Sequence, residues 1–237
     1  NNKSYIMGIR RGPNIVQDGL VFAVDAANPS SYPGSGTIWK DQTVNQHNGI
    51  LTNGPTFDSE NGGSIDFDGS SDYAEVMQDG KGSVFETQTY TIESWIKLDN
   101  TNGNEVIFSY DFTAHSQPYY AAHLRTLSNG RLFLGWNNGS AFKNITAANG
   151  TMTAGAWLHV VGLYESGRQK LYVNGEIVKS GTSTHTITFY NQEVWIGKGN
   201  FGGEFGGNIA SVKFYNRALS DDEVTQNYNA LKGRFGL

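Results

Sequence analysis

Short strand-like runs follow one another along almost the whole chain, and no helical period separates them until the C-terminus. LVFAVD (20–25), SIDFDG (64–69), YAEVM (73–77), EVIFSY (105–110), YAAHLRT (120–126) and RLFLGW (131–136) are each rich in branched and aromatic residues. WLHVVGLYE (157–165), RQKLYVN (168–174), VWIG (194–197) and IASVKFY (209–215) continue the series. YTIESWIKL (90–98) alternates most regularly, with Ile92, Ser94, Ile96 and Leu98 on one face and Glu93, Trp95 and Lys97 on the other. Strands at this spacing without crossover helices predict an antiparallel sandwich or barrel.

The residues between the runs agree. The chain holds 30 glycines, and ANPSSYPGSG (27–36) packs two prolines and two glycines into one turn-rich stretch. Asn129-Gly130 and Asn174-Gly175 each sit between two runs and predict tight hairpins, because both turn positions need positive φ. One helix is expected at the end. Ser220 is its N-cap and Glu223 completes a capping box. Val224, Tyr228 and Leu231 form its apolar stripe, and Gly233 is placed to close it. Residues 1–18, with Lys3, Arg10 and Arg11, read as an extended basic arm, and residues 19–237 as one sandwich domain.

Charge narrows the partners. Only 16% of residues are charged and the net charge is −5, so nucleic acid is not an expected partner. No run reaches the roughly 18 apolar residues of a spanning helix. Cysteine is absent, which excludes disulfide staples and thiolate metal sites.

Five segments, in order, resemble the concanavalin A-like lectin/glucanase superfamily in its laminin-G-like and pentraxin-like branch. They are DGLVFAVDAANPSSYPG (18–34), NGILTNGPTF with GGSIDFDGSSDY (48–57 and 62–73), TIESWIKL (91–98), WLHVVGLYESGRQKLYVNGEIV (157–178) and IASVKFYNRALSDDEVTQNY (209–228). The resemblance covers about residues 18–231. It implies an all-β, two-sheet antiparallel jelly-roll sandwich, here with one short C-terminal helix. The stretch GPNIVQDGLVFAVDAANPSSYPGSGT further resembles single-domain virion components of tailed phages.

The same residues offer little catalytic chemistry. Laminarinases of this superfamily carry a Glu-x-Asp-x-x-Glu strand that sets two carboxylates at a retaining separation of about 5 Å. Here Glu93 is followed at the Asp spacing by Trp95, so no enzyme activity is expected. Gly197-Lys198-Gly199-Asn200-Phe201-Gly202 matches the dinucleotide pattern but leads into another strand, not a helix N-terminus. The five histidines, His47, His115, His123, His159 and His185, lack ligand spacing.

Calcium is the one candidate cofactor. Asp66, Asp68 and Asp72 surround a tight turn and offer hard oxygen ligands, and the resemblance places Asp111 near the start of the pentraxin calcium site. The competing reading of the three clustered aspartates is turn capping. The acidic pair that the family often carries in its closing strand is Ala210-Ser211 here.

A sugar site needs a flat ring beside hydrogen-bonding groups. Trp95 beside Glu93 and Lys97 is one candidate. The segment with Asp111, His115, Gln117, Tyr119 and Tyr120 is a second, and Trp136 followed by Asn137 is a third. Against them stands the ordinary use of large rings as core. The expected role is a non-enzymatic module on a virion or cell surface, acting in assembly or glycan adhesion. Other virion or surface proteins, reached through the arm at residues 1–18, a second copy of the chain and glycans are the candidate partners. A carbohydrate-binding lectin domain of a bacterial secreted or surface protein is the alternative, and a glycoside hydrolase acting through Glu93 is the third and least favoured reading.

Overall fold

A computed structural model of the chain describes residues 14–76, 84–112, 119–189, 192–200 and 202–237. The strands run in order as β1 (Leu20–Asp25), β2 (Ile38–Trp39), β3 (Gly49–Thr52), β4 (Thr56–Asp58), β5 (Ser64–Asp68), β6 (Tyr73–Val76), β7 (Tyr90–Leu98) and β8 (Val106–Phe112). They continue as β9 (Tyr120–Leu127), β10 (Arg131–Asn137), β11 (Phe142–Thr146), β12 (Trp157–Glu165), β13 (Arg168–Val173), β14 (Glu176–Gly181), β15 (Gln192–Ile196) and β16 (Gly206–Tyr215). The helix α1 (Asp221–Leu231) runs into a 3-10 turn at Lys232–Phe235.

Two eight-stranded antiparallel sheets stack as a jelly-roll sandwich. The first has the order β14-β13-β12-β7-β16-β5-β4, with β1 also on β16. Strand β16 is long enough to take β5 along its first half and β1 along its second. The second sheet has the order β11-β10-β9-β8-β15-β6-β3-β2. At each centre a late strand is inserted beside an earlier one, β16 on β7 and β15 on β8, which wraps the chain ends into the sandwich.

Alternation decides what meets between the sheets. Ile92, Ile96, Val212 and Phe214 of the first sheet face Phe108, Leu124, Leu134 and Trp136 of the second, all fully buried. Phe85, ahead of β7, plugs the centre, with Phe22, Phe108, Tyr110 and Phe214 around its ring at 5.0–6.0 Å. Both expected Asn-Gly hairpins form: φ is +64° and +62° at Asn129-Gly130, and +53° and +81° at Asn174-Gly175.

The outer face of the first sheet is also covered. The capping box at Ser220 and Glu223 starts α1 as expected, and Arg217 grips the Glu223 carboxylate with two nitrogens at 2.8 and 2.6 Å. Gly233 does not close the helix. The 3-10 turn carries on to Gly236, at φ +74°, and that extra turn swings Phe235 onto Trp95 and Trp157. Of the expected stripe, Val224 is buried while Tyr228 and Leu231 are half-buried; the other buried position of α1 is polar, Asn227.

Of the expected arm, residues 1–13 lie outside the described residues. Residues 14–18 lie along α1. Asn14 accepts from Gln226 and Val16 is buried, while Asp18 pairs with Arg217.

Candidate functional site

Among the described residues α1 packs on the outer side of the first sheet, and no helix lies on the outer face of the second sheet. Its register lines up Trp195, Ser109, His123, Gly135 and Asn144 as cross-strand neighbours, with Arg125, Phe133 and Thr146 in a parallel row.

Three rings gather over Gly135. Phe133 and Phe142 stack at 5.8 Å, and the Tyr120 ring stands edge-on to Phe142 at 5.0 Å. The Arg125 guanidinium lies 4.3 Å over Phe133. A Cβ on Gly135 would fall 2.7–3.0 Å from all three rings, so only glycine leaves room for this arrangement. Phe142 and Arg125 are half-buried, and Asn144 beside them is exposed.

The centre of the face is closed. The segment following β15 folds across it, fixed where Asn200 N–H donates to Asp111 Oδ2 at 2.8 Å and Ser109 Oγ donates to the Lys198 carbonyl at 2.7 Å. Beneath it Asp111 and His123 are both at 0% exposure, with Oδ1 and Nδ1 3.8 Å apart. Burial pushes the Asp111 carboxyl up to about 7, against the opposing pull of the Asn200 N–H and Arg125. Burial likewise drives His123 well below the usual imidazole range. On the far side of this cover, Lys198 Nζ lies 4.1 Å over the Tyr73 ring and 5.3 Å over Trp195.

The residues singled out from the sequence are dispersed. Asp111, Tyr119 and Tyr120 do come to one end of this face. Tyr119 is half-buried at φ +68°, and Tyr120 packs on His123 at 4.4 Å. Trp136 is not a platform: its side chain points inward and is fully buried in the core. Asn137 is a fastener, its amide bonded to Tyr120, Gly139 and Thr188 backbone groups and wholly buried. Trp95 is stacked under Phe235 at 4.2 Å on the covered face of the first sheet, at 0% exposure. His115 and Gln117 lie outside the described residues.

The calcium ligands do not assemble. Asp68 Oδ1 accepts the N–H groups of Ser70, Ser71 and Asp72, and those bonds hold its carboxyl below the usual range. Asp72 accepts in turn from Asp68 N–H. Asp66 lies on β5 of the first sheet, whereas Asp111 lies on β8 of the second. Among the described residues no three His, Asp or Glu side chains converge on a metal position.

Sequence reasoning missed Phe133, Phe142, Arg125 and Lys198. The signal available was the alternation Arg131, Phe133, Gly135 along β10, which places a glycine between large rings on one face.

Glu93, the carboxylate that a hydrolase reading would use, is sealed under α1. Burial alone would raise it, but Lys213 at 2.9 Å and His159 at 3.4 Å outweigh burial and hold it well below the usual carboxylate range.

The model of a family described as the concanavalin A-like lectin/glucanases superfamily matches residues 68–225, well over half of the chain. No curated protein sequence matches significantly. Three solved structures share the fold. Domain 4 of AbnA, a GH43 extracellular arabinanase from Geobacillus stearothermophilus, in complex with arabinotriose, has a TM-score of 0.67 at 18% identity; 90% of this chain covers 100% of that one. The binding domain of botulinum neurotoxin DC in complex with SialylT has 0.67 at 13%, over 90% of this chain and 52% of that one. Trypanosoma rangeli sialidase in complex with sialic acid has 0.65 at 15%, over 94% and 35%. The chain thus spans about half of the toxin domain and about a third of the sialidase, and at these identities the likeness is one of fold. From the family match and the two-sheet architecture together, the chain belongs to the concanavalin A-like lectin/glucanase superfamily.

Proposed function

We propose that this domain is a non-catalytic glycan-recognition module. The observation that carries the reading is the partly exposed Phe142 ring, stacked on Phe133 and flanked by Arg125 and the exposed Asn144, on the outer face of the second sheet beside the segment that follows β15. A sugar presents an apolar C–H face to such a ring and hydroxyls to amide and guanidinium donors. Three of the fold relatives are named in complex with arabinotriose, SialylT and sialic acid, which supports the class of ligand. The absence of the Glu-x-Asp-x-x-Glu strand and the sealing of Glu93 support binding over hydrolysis.

The test is a glycan array carrying arabinan, sialylated and neutral galactose-type oligosaccharides, followed by titration of each hit. Phe142→Ala is expected to weaken binding roughly tenfold, the equivalent of about 1.4 kcal/mol of lost stacking. Absence of any retained glycan would sink the proposal.

The finer reading is display on a tailed-phage particle, where the sandwich would decorate a capsid or tail and the segment before Asn14 would meet a neighbour. It is supported by the resemblance of GPNIVQDGLVFAVDAANPSSYPGSGT to such virion components. Peptides of this chain are expected at many copies per particle in mass spectra of purified virions. Their presence only in secreted or cell-surface fractions would shift the role to a bacterial lectin.

A further inference from the structure

Under α1 an amine, a carboxylate and a carboxamide meet in one dry site that the glycan face does not use. Lys213 of β16, Glu93 of β7 and Asn227 of α1 are exposed by 3%, 0% and 0%. Lys213 Nζ donates to Glu93 Oε1 at 2.9 Å, and Asn227 Nδ2 donates to Glu93 Oε2 at 2.5 Å. One carboxylate therefore holds the amine on one oxygen and the carboxamide on the other. The carboxamide is fixed by two further bonds. Val16 N–H donates to its Oδ1 at 2.7 Å, and its Nδ2 donates to the Tyr215 hydroxyl at 3.0 Å. Val161, Leu163, Leu219 and Val224 form an apolar cluster around Tyr215 on one side, and the Trp95 and His159 rings pack 5.1 Å apart beside it.

A buried ion pair is a weak way to fasten a helix, since apolar replacements are often as stable or more so. The arrangement instead has every part of an acyl transfer: a nucleophile, a proton carrier and a polarised carbonyl. We propose that Lys213 and Asn227 join in an intramolecular isopeptide bond, with Glu93 carrying the protons.

The steps balance within the site. The Lys213 ammonium passes a proton to Glu93 along their hydrogen bond, an uphill step because Lys213 and His159 hold that carboxyl below its usual range, and becomes a neutral amine that attack on the carboxamide draws off. Nζ attacks Asn227 Cγ, and the Val16 N–H meets the negative charge that develops on Oδ1. Glu93 delivers its proton to Nδ2 and takes one from Nζ. The Cγ–Nδ2 bond breaks, the carbonyl re-forms, and ammonia leaves with the remaining proton as ammonium. No oxidant or co-reactant is required. The product welds α1 to β16 and keeps the helix on the sheet.

The experiment is the intact mass of the full chain under denaturing conditions, followed by tryptic mapping. The expected mass is one ammonia below that of the sequence, with a branched peptide joining the Lys213 and Asn227 segments and no cleavage after Lys213. Glu93→Gln and Asn227→Ala are each expected to restore the full mass and the linear peptides. A wild-type chain at its unmodified mass overturns the proposal without reference to how either variant folds. So does an ammonia loss found only in linear peptides, which marks a succinimide at an Asn-Gly site.

Discussion

Trp95→Ala is expected to destabilise the protein by about 3–5 kcal/mol, as for other buried large aromatics cut to alanine. For a domain of this size that corresponds to a fall in melting temperature of roughly 10–15 °C. The ring is fully buried, stacked on Phe235 at 4.2 Å and in tilted contact with His159 at 5.1 Å, with Tyr228 near-parallel to it at 5.9 Å. Removing it undoes what Phe235 and the 3-10 turn pack against, so the C-terminal end should loosen first and exchange amide protons fastest. Glycan affinity at the second sheet should stay unchanged wherever the variant is folded. Thermal unfolding and affinity electrophoresis on the same preparation check both halves. Unchanged melting with lost glycan binding would return Trp95 to the role of a sugar platform and remove the case for the second sheet.

The same residue shows where the sequence stops informing. Alternation in YTIESWIKL assigns Trp95 and Glu93 to the outward face of β7, and that assignment holds. What alternation does not encode is whether an outward face meets water or another layer. Here α1, the turn after it and residues 14–18 form a third layer, so all but one residue of β7 are buried. The clue lay in α1, where Asn227 falls among the apolar positions, yet an isolated Asn on a helix has no meaning until its partners are known. The hairpins and the capping box were legible because their chemistry is local, confined to residues next to each other in the chain. The ring cluster over Gly135 was not, because it draws on three strands. One of them, β11, shows too little periodicity in FKNIT (142–146) to be read as a strand. Asp68 illustrates a further limit: a carboxylate near a Gly turn satisfies the turn and a metal with the same atoms, and only the bond pattern separates the two.

The second large effect concerns Asp111 and the cover over the centre of the second sheet's outer face. Asp111→Asn is expected to gain stability relative to wild type by about 4 kcal/mol between pH 4 and pH 8, at roughly 1.4 kcal/mol for each pH unit between the unfolded and folded carboxyl values. The sign follows from proton counting. Burial raises the folded carboxyl from 3.8 to about 7, so in that window the unfolded chain is ionised and binds fewer protons than the folded one. Stability therefore falls as pH rises from about 4 to about 7 and is level above. His123 acts in the opposite sense. Burial keeps its imidazole neutral, so below the unfolded value near 6.5 the unfolded chain gains the extra proton and stability falls towards acid. In wild type the two slopes offset each other below about pH 6.5, and the raw profile hides both. Subtracting the variant's profile leaves the Asp111 contribution alone, since the depressed carboxylates Glu93, Glu223, Asp68 and Asp221 are common to both proteins. The asparagine still accepts the Asn200 N–H, so the cover remains tied down. Urea unfolding at pH 4, 6 and 8 supplies the numbers. A flat difference would mean that water reaches Asp111 and that the face is open from Trp195 to Phe142. A rising difference would mean that the segment after β15 divides the face, which leaves the proposed site confined to the side of Phe142, Arg125 and Asn144.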